Sequence, residues 1–311
     1  CHFFLAPAFG QKPFRLAVIG CHKQFEPAPA LVRYLDIAPD LCLWIGDNVY
    51  ADSEDDFSYI ETCYTALANK PAFQELRKRY PTIATWDDHD FGPNNADRSF
   101  IHKDKTLEAF KLFWGNPTYG IPGHKGITSY FQYNDIDFFL LDNRYYRSPN
   151  NRTTGERTLL GKAQLEWLID ALSNSRAPFK MVCIGGQVLN TVEKYENYAN
   201  HHKSEREYLL RRIEEEGIRN VVFVTGDRHH TEMSEYTNSA GNKVYDLTIS
   251  PLTSGGGHEV TEDNRLRVEG TLTTQHNFGI LNFSGPRKER ELKITVFDQE
   301  GEELWSRTLT Q

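Results

Sequence analysis

The segment Asp40-Leu-Cys-Leu-Trp-Ile-Gly-Asp-Asn-Val-Tyr-Ala-Asp52 decides the fold class of this 311-residue chain. Its apolar run stops at Gly46-Asp47, which is typical of a buried strand followed by a turn. Asp47 leaves that strand at its carboxyl end, where α/β sheets place their ligand-binding residues. Tyr50 follows three residues later and can fold back toward the same position. The segment therefore predicts an α/β protein with chemistry at a strand end.

Further apolar runs end in the same manner, at Gly, Asp, Asn or Arg. They cover residues 14–19, 82–86, 136–141, 179–184 and 220–225. Beyond residue 227 helical spacing disappears, and the pattern predicts strands at residues 244–249, 278–283, 292–297 and 304–309.

Helical spacing occurs between several of these strands, at residues 59–67, 105–113 and 161–172. Ser204-Glu-Arg-Glu207 is a capping-box pattern that predicts a helix from there to about Glu216, with Gly217 as its end. Strands that alternate with helices indicate an α/β fold. Because no repeat or linker interrupts the pattern, we expect one domain over residues 13–311, preceded by a tail at residues 1–12.

The amino-acid composition limits the kinds of molecule that the protein is expected to bind. The chain has 35 Lys and Arg against 43 Asp and Glu, a net charge of −8, and no apolar run of membrane-spanning length. This balance argues against nucleic acid as the main partner. An acidic protein that handles phosphate is expected to need metal ions.

The N-terminal ten residues are apolar and begin with Cys1. They have three interpretations: the end of a secretory signal peptide, the start of a mature lipoprotein at Cys1, or part of the fold. The first two imply export to the periplasm, the cell surface or the medium. Cys42 and Cys183 lie within apolar runs and are expected to be buried core thiols.

The residues that follow the predicted strands are mostly charged or polar. If these strand ends share one edge, at least six carboxylates and three imidazoles meet there, and bound cations would resolve their repulsion.

Each residue also has a plainer interpretation. A single Asp can cap a helix, Cys21 can be a buried thiol, Tyr50 can pack at the rim, and Arg144 can form a structural ion pair. His201-His202 lacks a strand-end position and is expected in a solvated loop.

Taken in order, five segments resemble one family. They are Gly20-Cys-His-Lys-Gln24, the Asp40–Asp52 segment, Ala84-Thr-Trp-Asp-Asp-His-Asp-Phe-Gly-Pro-Asn94, Leu141-Asp-Asn-Arg-Tyr-Tyr-Arg147 and Val224-Thr-Gly-Asp-Arg-His229. The chain resembles the alkaline phosphatase D (PhoD-like) family of metallophosphoesterases over residues 14 to about 280. It departs from the family at Gly20, where Ser is usual, and at Asn143, where Thr is common. Gly46-Asp47 comes early in the chain, as in a short form without the N-terminal β domain.

The resemblance implies a calcineurin-like fold of two stacked mixed sheets flanked by helices. It implies hydrolysis of small phosphate monoesters or diesters by a metal-bound hydroxide, with Fe³⁺ and Ca²⁺ or, alternatively, two divalent ions such as Zn²⁺, Mn²⁺ or Mg²⁺. A phosphodiesterase directed at phospholipids or nucleotides and a non-catalytic phosphate- or cation-binding protein are the alternatives. The implied catalytic residues are His89, Asn94 and Arg144, with Arg144 on the phosphate. The implied metal ligands are Cys21, Asp47, Tyr50, Asp87, Asp88, Asp227 and His229.

Overall fold

Two six-stranded β-sheets form the centre of the protein in a computed structural model, which describes residues 12–52 and 58–311. The strands are β1 Phe14–Ile19, β2 Leu41–Ile45, β3 Thr82–Thr85, β4 Ser129–Tyr133, β5 Ile136–Leu140, β6 Lys180–Cys183, β7 Val221–Thr225, β8 Glu232–Thr237, β9 Lys243–Thr248, β10 Asn277–Ser284, β11 Glu291–Asp298 and β12 Glu303–Thr310. The helices are α1 Ala30–Ile37, α2 Ser58–Ala68, α3 Pro71–Arg79, α4 Asp88–Phe91, α5 Lys103–Phe113, α6 Lys162–Asn174, α7 Tyr198–His201 and α8 Lys203–Glu215.

Both sheets are mixed. The first has the order β12-β11-β10-β1-β2-β3, and the second has the order β4-β5-β6-β7-β9-β8. β1, β2 and β3 are parallel, as are β5, β6, β7 and β9. The remaining pairs are antiparallel. The parallel strands direct their carboxyl ends, and the loops that follow, to the site described below. The predicted architecture of two stacked mixed sheets with outer helices is confirmed.

The central strands are apolar on both faces because both faces are covered. In β2, Leu43 and Ile45 belong to the core between the two sheets, where they join Phe138 and Val222 of the second sheet. Alternate residues such as Trp44 belong to a second core, beneath the helices of the first sheet. A third core lies between the second sheet and helices α6 and α8.

Every predicted strand is present, but six of the other elements were not predicted, namely β4, β8, α1, α3, α4 and α7. β4 and β8 lie at the outer ends of the second sheet and mix polar with apolar residues, so their sequences lack an apolar run. Helices α1 and α3 were also missed, since Pro29 and Pro71 at their starts resemble loop residues. Pro is in fact favourable at the start of a helix, where its missing N–H is not needed.

The predicted capping box at Ser204 is wrong. Helix α8 begins at Lys203, and its N-cap residue, His202, makes no side-chain capping bond within the described residues. Glu205 instead accepts backbone hydrogen bonds from Leu160 at 3.3 Å and Gly161 at 3.0 Å, so it ties α8 to the start of α6. The predicted end of the helix is confirmed, since Gly217 has a φ of 62° and no helical residue follows Glu215 until β7.

The predictions for the N-terminal segment stay predictions, because residues 1–11, including Cys1, lie outside the described residues. In the described part of the chain, the helices are too short or too polar to cross a bilayer. Cys42 and Cys183 are fully buried, as predicted, and burial raises the pKa of both thiols.

Candidate active site

Loops that follow four parallel strands meet at one edge of the two sheets. They carry Cys21 after β1, Asp47 after β2, the Asp87–His89 segment after β3, and Asp227 with His229 after β7. Cys21, Asp47, Asp227 and His229 all have left-handed backbones, with φ of 53°, 51°, 69° and 49°. Non-glycine residues rarely adopt this conformation, and it is concentrated at functional sites.

Four carboxylates form the centre of the site. Asp47, Asp87, Asp88 and Asp227 each present an oxygen within 4.8 Å of the others. Asp47 Oδ1, Asp87 Oδ2 and Asp88 Oδ1 are buried and lack a hydrogen-bond partner among the described residues. Buried carboxylate oxygens without partners are costly, and they therefore mark a position that suits a cation.

The four carboxylates, which we call the acidic cluster, repel one another. Burial first, and then repulsion from Asp87 and Asp88, raises the pKa of Asp227 to about 8. Burial and the neighbouring carboxylates also raise the pKa values of Asp47 and Asp87. Burial alone would raise the pKa of Asp88 too, but Arg144 and His89 lower it to about 2. The described side chains thus compensate one carboxylate well and leave the rest in need of positive charge.

A second group of donors also contains Asp47. Cys21 Sγ is 3.5 Å from Asp47 Oδ2, and Tyr50 Oη is 3.4 Å from the same oxygen. Tyr50 Oη also lies 3.1 Å from His229 Nε2. Cys21, Asp47 and His229 have donor atoms within 4.8 Å of one another. Sulfur, phenol and imidazole donors together suit a transition metal.

His89 lies between Tyr50 and Asp52. Its ring packs on the ring of Tyr50 with the centroids 4.1 Å apart, and its Nδ1 is hydrogen-bonded to a carboxylate oxygen of Asp52. Burial would lower the pKa of His89, but Asp47, Asp52 and Asp88 together raise it to about 10. The imidazole is therefore held in its protonated, proton-donating form in the absence of a cation. Asp52 was not predicted as a site residue, although it is the last residue of the Asp40–Asp52 segment.

A cleft of about 520 Å³ opens above these groups. Asp47, Asp88, His89, Asn94 and Asp227 line it, so the exposed Asn94 faces the same space as the acidic cluster. The far wall comes from residues 194–196, 200–201 and 258–262, none of which was predicted from the sequence as part of a site. The motifs gave no signal for this wall, because its residues follow no strand end.

Arg144 lies beneath the acidic cluster rather than on the wall of the cleft. Its Nε donates to Asp87 Oδ1 at 2.5 Å, and one terminal nitrogen lies 2.6 Å from Glu196 Oε2 and 3.6 Å from Asp88 Oδ1. Only 1% of the side chain is exposed, and the described residues that line the cleft do not include it. The structure thus does not bring Arg144 to the wall of the cleft, and its contact with a phosphate stays a prediction. Asp87 and Glu196 occupy its donors, Asp88 lies within ion-pair distance, and Arg144 acts as the counter-ion of all three.

Two other strand-end carboxylates also serve the loops instead of the cleft. Asp90 accepts hydrogen bonds from the backbone of Asn48 at 3.0 Å and Val49 at 3.3 Å, which holds the turn after Asp47 in place. Asp142 accepts from Trp86 Nε1 at 2.9 Å and from the backbone of Arg144 at 3.0 Å. Both confirm the plainer interpretation, in which an Asp after a strand stabilises the following turn.

The prediction that His201-His202 lies in a solvated loop is wrong. His202 is buried, with its Nε2 3.2 Å from Ser148 Oγ, and burial lowers its pKa to about 2. His201 is half-buried and lines the cleft. Helix α7 brings both residues toward the site, and its four residues are too few to leave a helical pattern in the sequence.

Comparison with known proteins agrees with this geometry. A family model for PhoD-like phosphatases matches residues 61–287. Alkaline phosphatase D of Bacillus subtilis (strain 168) is 24% identical over 218 residues, which cover 57% of this chain and 36% of that protein. The chain thus spans about a third of the length of this curated relative.

Solved structures share the fold at low identity. A structure of PhoD superposes with a TM-score of 0.79 at 16% identity, and the match covers 98% of this chain and 73% of that one. A purple acid phosphatase from yellow lupin (Lupinus luteus) seeds superposes with a TM-score of 0.71 at 12% identity, covering 97% and 54% of the two chains. Since the family model matches well over half of the residues, we conclude that this chain belongs to the PhoD-like phosphatase family.

Proposed function

We propose that residues 13–311 form one catalytic domain that hydrolyses phosphate esters with the help of bound metal ions. The observation that carries this proposal is the acidic cluster of Asp47, Asp87, Asp88 and Asp227 at the base of a cleft. Its buried oxygens that lack hydrogen-bond partners among the described residues would be stabilised by cations. Cations would also offset the repulsion between these four carboxylates and a doubly charged phosphate.

The donors fall into two groups that share Asp47. Cys21, Tyr50 and His229 supply sulfur, phenol and imidazole on one side, and this set suits Fe³⁺. Asp87, Asp88 and Asp227 supply only oxygen on the other side, and this set suits Ca²⁺. Two divalent ions such as Zn²⁺, Mn²⁺ or Mg²⁺ are the alternative. Bound cations would offset the charge of the phosphate and activate water for attack on phosphorus.

The chain's own residues then have distinct tasks. His89 lines the cleft with its Nδ1 engaged by Asp52, which leaves Nε2 to donate a proton to the leaving oxygen. Asn94 presents an amide donor to the same space and can hydrogen-bond a phosphate oxygen. Arg144 remains below, where it fixes the positions of Asp87 and Asp88.

The test pairs metal analysis with hydrolysis assays. Protein with a measured metal content should hydrolyse a phosphate monoester, a phosphate diester, or both. Removal of the metals with a strong chelator should abolish turnover, and adding Ca²⁺ with Fe³⁺, or Zn²⁺, Mn²⁺ or Mg²⁺ alone, should restore it. Full activity in protein shown to be metal-free would contradict the proposal, and so would the absence of hydrolysis at every metal composition.

A further inference from the structure

Tyr195 is an exposed aromatic residue on the far wall of the cleft. It lies in the segment between β6 and α7, and it lines the same cavity as Asp88, His89 and Asp227. Its side chain is 66% exposed, which is unusual for a large ring beside a polar cleft. An exposed aromatic ring in such a position presents a face to which a ligand can bind.

The ring is held in a fixed position from behind. The guanidinium of Arg228 lies 4.6 Å from its centroid. Arg228 is itself fixed, because it donates to both carboxylate oxygens of Glu262, at 2.6 and 2.8 Å, and to Asn197 Oδ1 at 2.9 Å. Tyr195 also has a left-handed backbone, with a φ of 51°, which a non-glycine residue adopts only when its surroundings impose it. One face of the ring is thus supported, and the side chain remains open to solvent.

Tyr195 is connected to the acidic cluster on both sides. Its neighbour in sequence, Glu196, is buried and pairs with Arg144 at 2.6 Å and Arg147 at 2.7 Å, and Arg144 contacts Asp87. The residue behind its ring, Arg228, stands between Asp227 and His229 in the chain. Tyr195 is therefore linked to the site through its chain neighbour Glu196 and through the contact of its ring with Arg228, and it lines the cleft into which the alcohol part of a bound ester would extend.

The rest of the cleft indicates which alcohol fits. Among the described residues that line it, Tyr195 and Val260 are the only apolar side chains, and the remainder are charged or polar. An acyl chain of a phospholipid would find little apolar surface there. A nucleotide, in contrast, combines one planar ring with a sugar and heteroatoms that can hydrogen-bond to neighbours such as Asn150, Asn200 and His201.

We propose that Tyr195 is a stacking platform for the leaving group, and that the preferred substrates are phosphate esters of nucleosides. This inference rests on the proposed function, because it concerns which ester the same site selects. Stacking of a base on an aromatic side chain tolerates any base, so the platform would select for a nucleobase but not for its identity.

The experiment compares two esters with the same leaving oxygen. Adenosine 5′-phosphate and ribose 5-phosphate both release a 5′-hydroxyl group, and only the first carries a base. Their methyl diesters form the equivalent pair if the metal-loaded enzyme prefers diesters. The wild-type protein should favour the adenosine compound in kcat/KM by roughly 5- to 100-fold. Tyr195→Ala should remove this preference by slowing only the adenosine compound, and Tyr195→Phe should retain it. Tyr130→Ala, which removes an exposed tyrosine outside the cleft, should leave the ratio unchanged.

Equal losses on both compounds in Tyr195→Ala, or no preference in the wild-type protein, would overturn the platform and leave Tyr195 as a cover for Arg228. Failure of the stacking proposal must be distinguished from failure of the proposed hydrolysis. Binding of adenosine, measured by saturation-transfer NMR, makes this distinction because it does not depend on turnover. If no ester is hydrolysed, yet adenosine binds to the wild-type protein and not to Tyr195→Ala, the proposed hydrolysis is wrong and the platform stands. Melting temperature and metal content of each variant show whether it has folded.

Discussion

At the level of single residues, the two groups of donors depend on Asp47. One of its carboxylate oxygens contacts Cys21 and Tyr50, the other lacks a partner among the described residues, and the residue belongs to both groups. Asp47→Asn keeps the shape and removes the charge. Turnover should fall by about 10³-fold or more, as with other losses of electrostatic stabilisation, and the metal content should fall too. The exposed Asp170 on α6 gives a control, and Asp170→Asn should change neither quantity. Normal turnover and metal content in Asp47→Asn would refute the shared role of Asp47.

His89 should matter most when the leaving group is a poor one. Its Nδ1 is engaged by Asp52, so His89→Ala removes a proton donor that has a fixed orientation. We expect a loss of about 10²–10⁴-fold on an alkyl phosphate, and a much smaller loss on an aryl phosphate, whose leaving oxygen needs no proton. Asp52→Asn should show the same pattern in weaker form. If His89→Ala slows both esters equally, His89 does not act on the leaving group.

Arg144 should behave as a structural counter-ion. Arg144→Ala leaves Asp87 buried without its counter-ion and leaves Glu196 with Arg147 alone, and removing one partner of a buried ion pair typically costs about 3–5 kcal/mol of stability. Urea unfolding should therefore show a large loss, and the protein should hold metal poorly because Asp87 and Asp88 are no longer fixed. If Arg144→Ala is fully stable and only its KM increases, the result would instead support a direct contact between Arg144 and the substrate. Arg211→Ala, on the exposed side of α8, is the matched control and should cost little.

At the level of elements, the turn after β6 has no room for a side chain at one position. A Cβ atom on Gly185 would lie 2.6 Å from Asp87 Cγ and 2.8 Å from Asn143 Nδ2, whereas one on Gly186 would meet only Glu196 O, at 4.0 Å. Gly185→Ala should displace Asp87, reduce metal content and turnover, and destabilise the protein by about 1–3 kcal/mol. Gly186→Ala should be close to neutral in the same assays. Identical behaviour of the two variants would mean that the position of Asp87 does not matter.

The sequence predicts one half of this site well and the other half poorly. Asp47, Asp87, Asp88, Asp227 and His229 follow buried apolar strands, so local pattern alone places them at one edge. Glu196 and Tyr195 follow no strand, and only the packing of the segment between β6 and α8 brings them to the cleft. The buried ion pair of Arg144 was not predicted for a related reason, since its partner Glu196 is distant in sequence. Residues fixed by a strand end are predictable, and residues fixed by a long loop are not.

At the level of the whole molecule, the acidic cluster couples stability to pH and metal. The pKa values of Asp47 and Asp87 are raised, and that of Asp227 reaches about 8, mainly through burial. A carboxyl group whose pKa is higher in the folded than in the unfolded state, where it is about 4, holds its proton better when folded. The metal-free protein should therefore lose stability as the pH rises from about 6.5 toward about 8; at lower pH the lowered pKa values of His22, His202 and His229 act in the opposite direction. Asp88 and Glu232, with pKa values of about 2, are already ionised in that range and add no slope.

Thermal unfolding of chelated and metal-loaded protein at several pH values tests this coupling. The melting temperature of the chelated protein should decrease across the range, and that of the loaded protein should stay nearly level, because cations keep the carboxylates ionised. The gap between the two should therefore widen with pH. A gap that narrows as the pH rises would contradict the assignment of the cluster as the cation site.

The pairing of β1 with β10 determines when the site can assemble. β1 lies between β2 and β10 in the first sheet, and Phe14 pairs with Phe283. The carbonyl of Cys21 likewise accepts hydrogen bonds from the backbone of Thr253 at 3.2 Å and of Ser254 at 3.1 Å. Contacts this distant in sequence give a topology of high contact order, which folds slowly. On the ribosome, the apolar strands β1 and β2 emerge long before β10 can cover their edge. The nascent chain therefore carries an exposed strand edge until residue 284 has been made, and it must be kept from aggregating during that time.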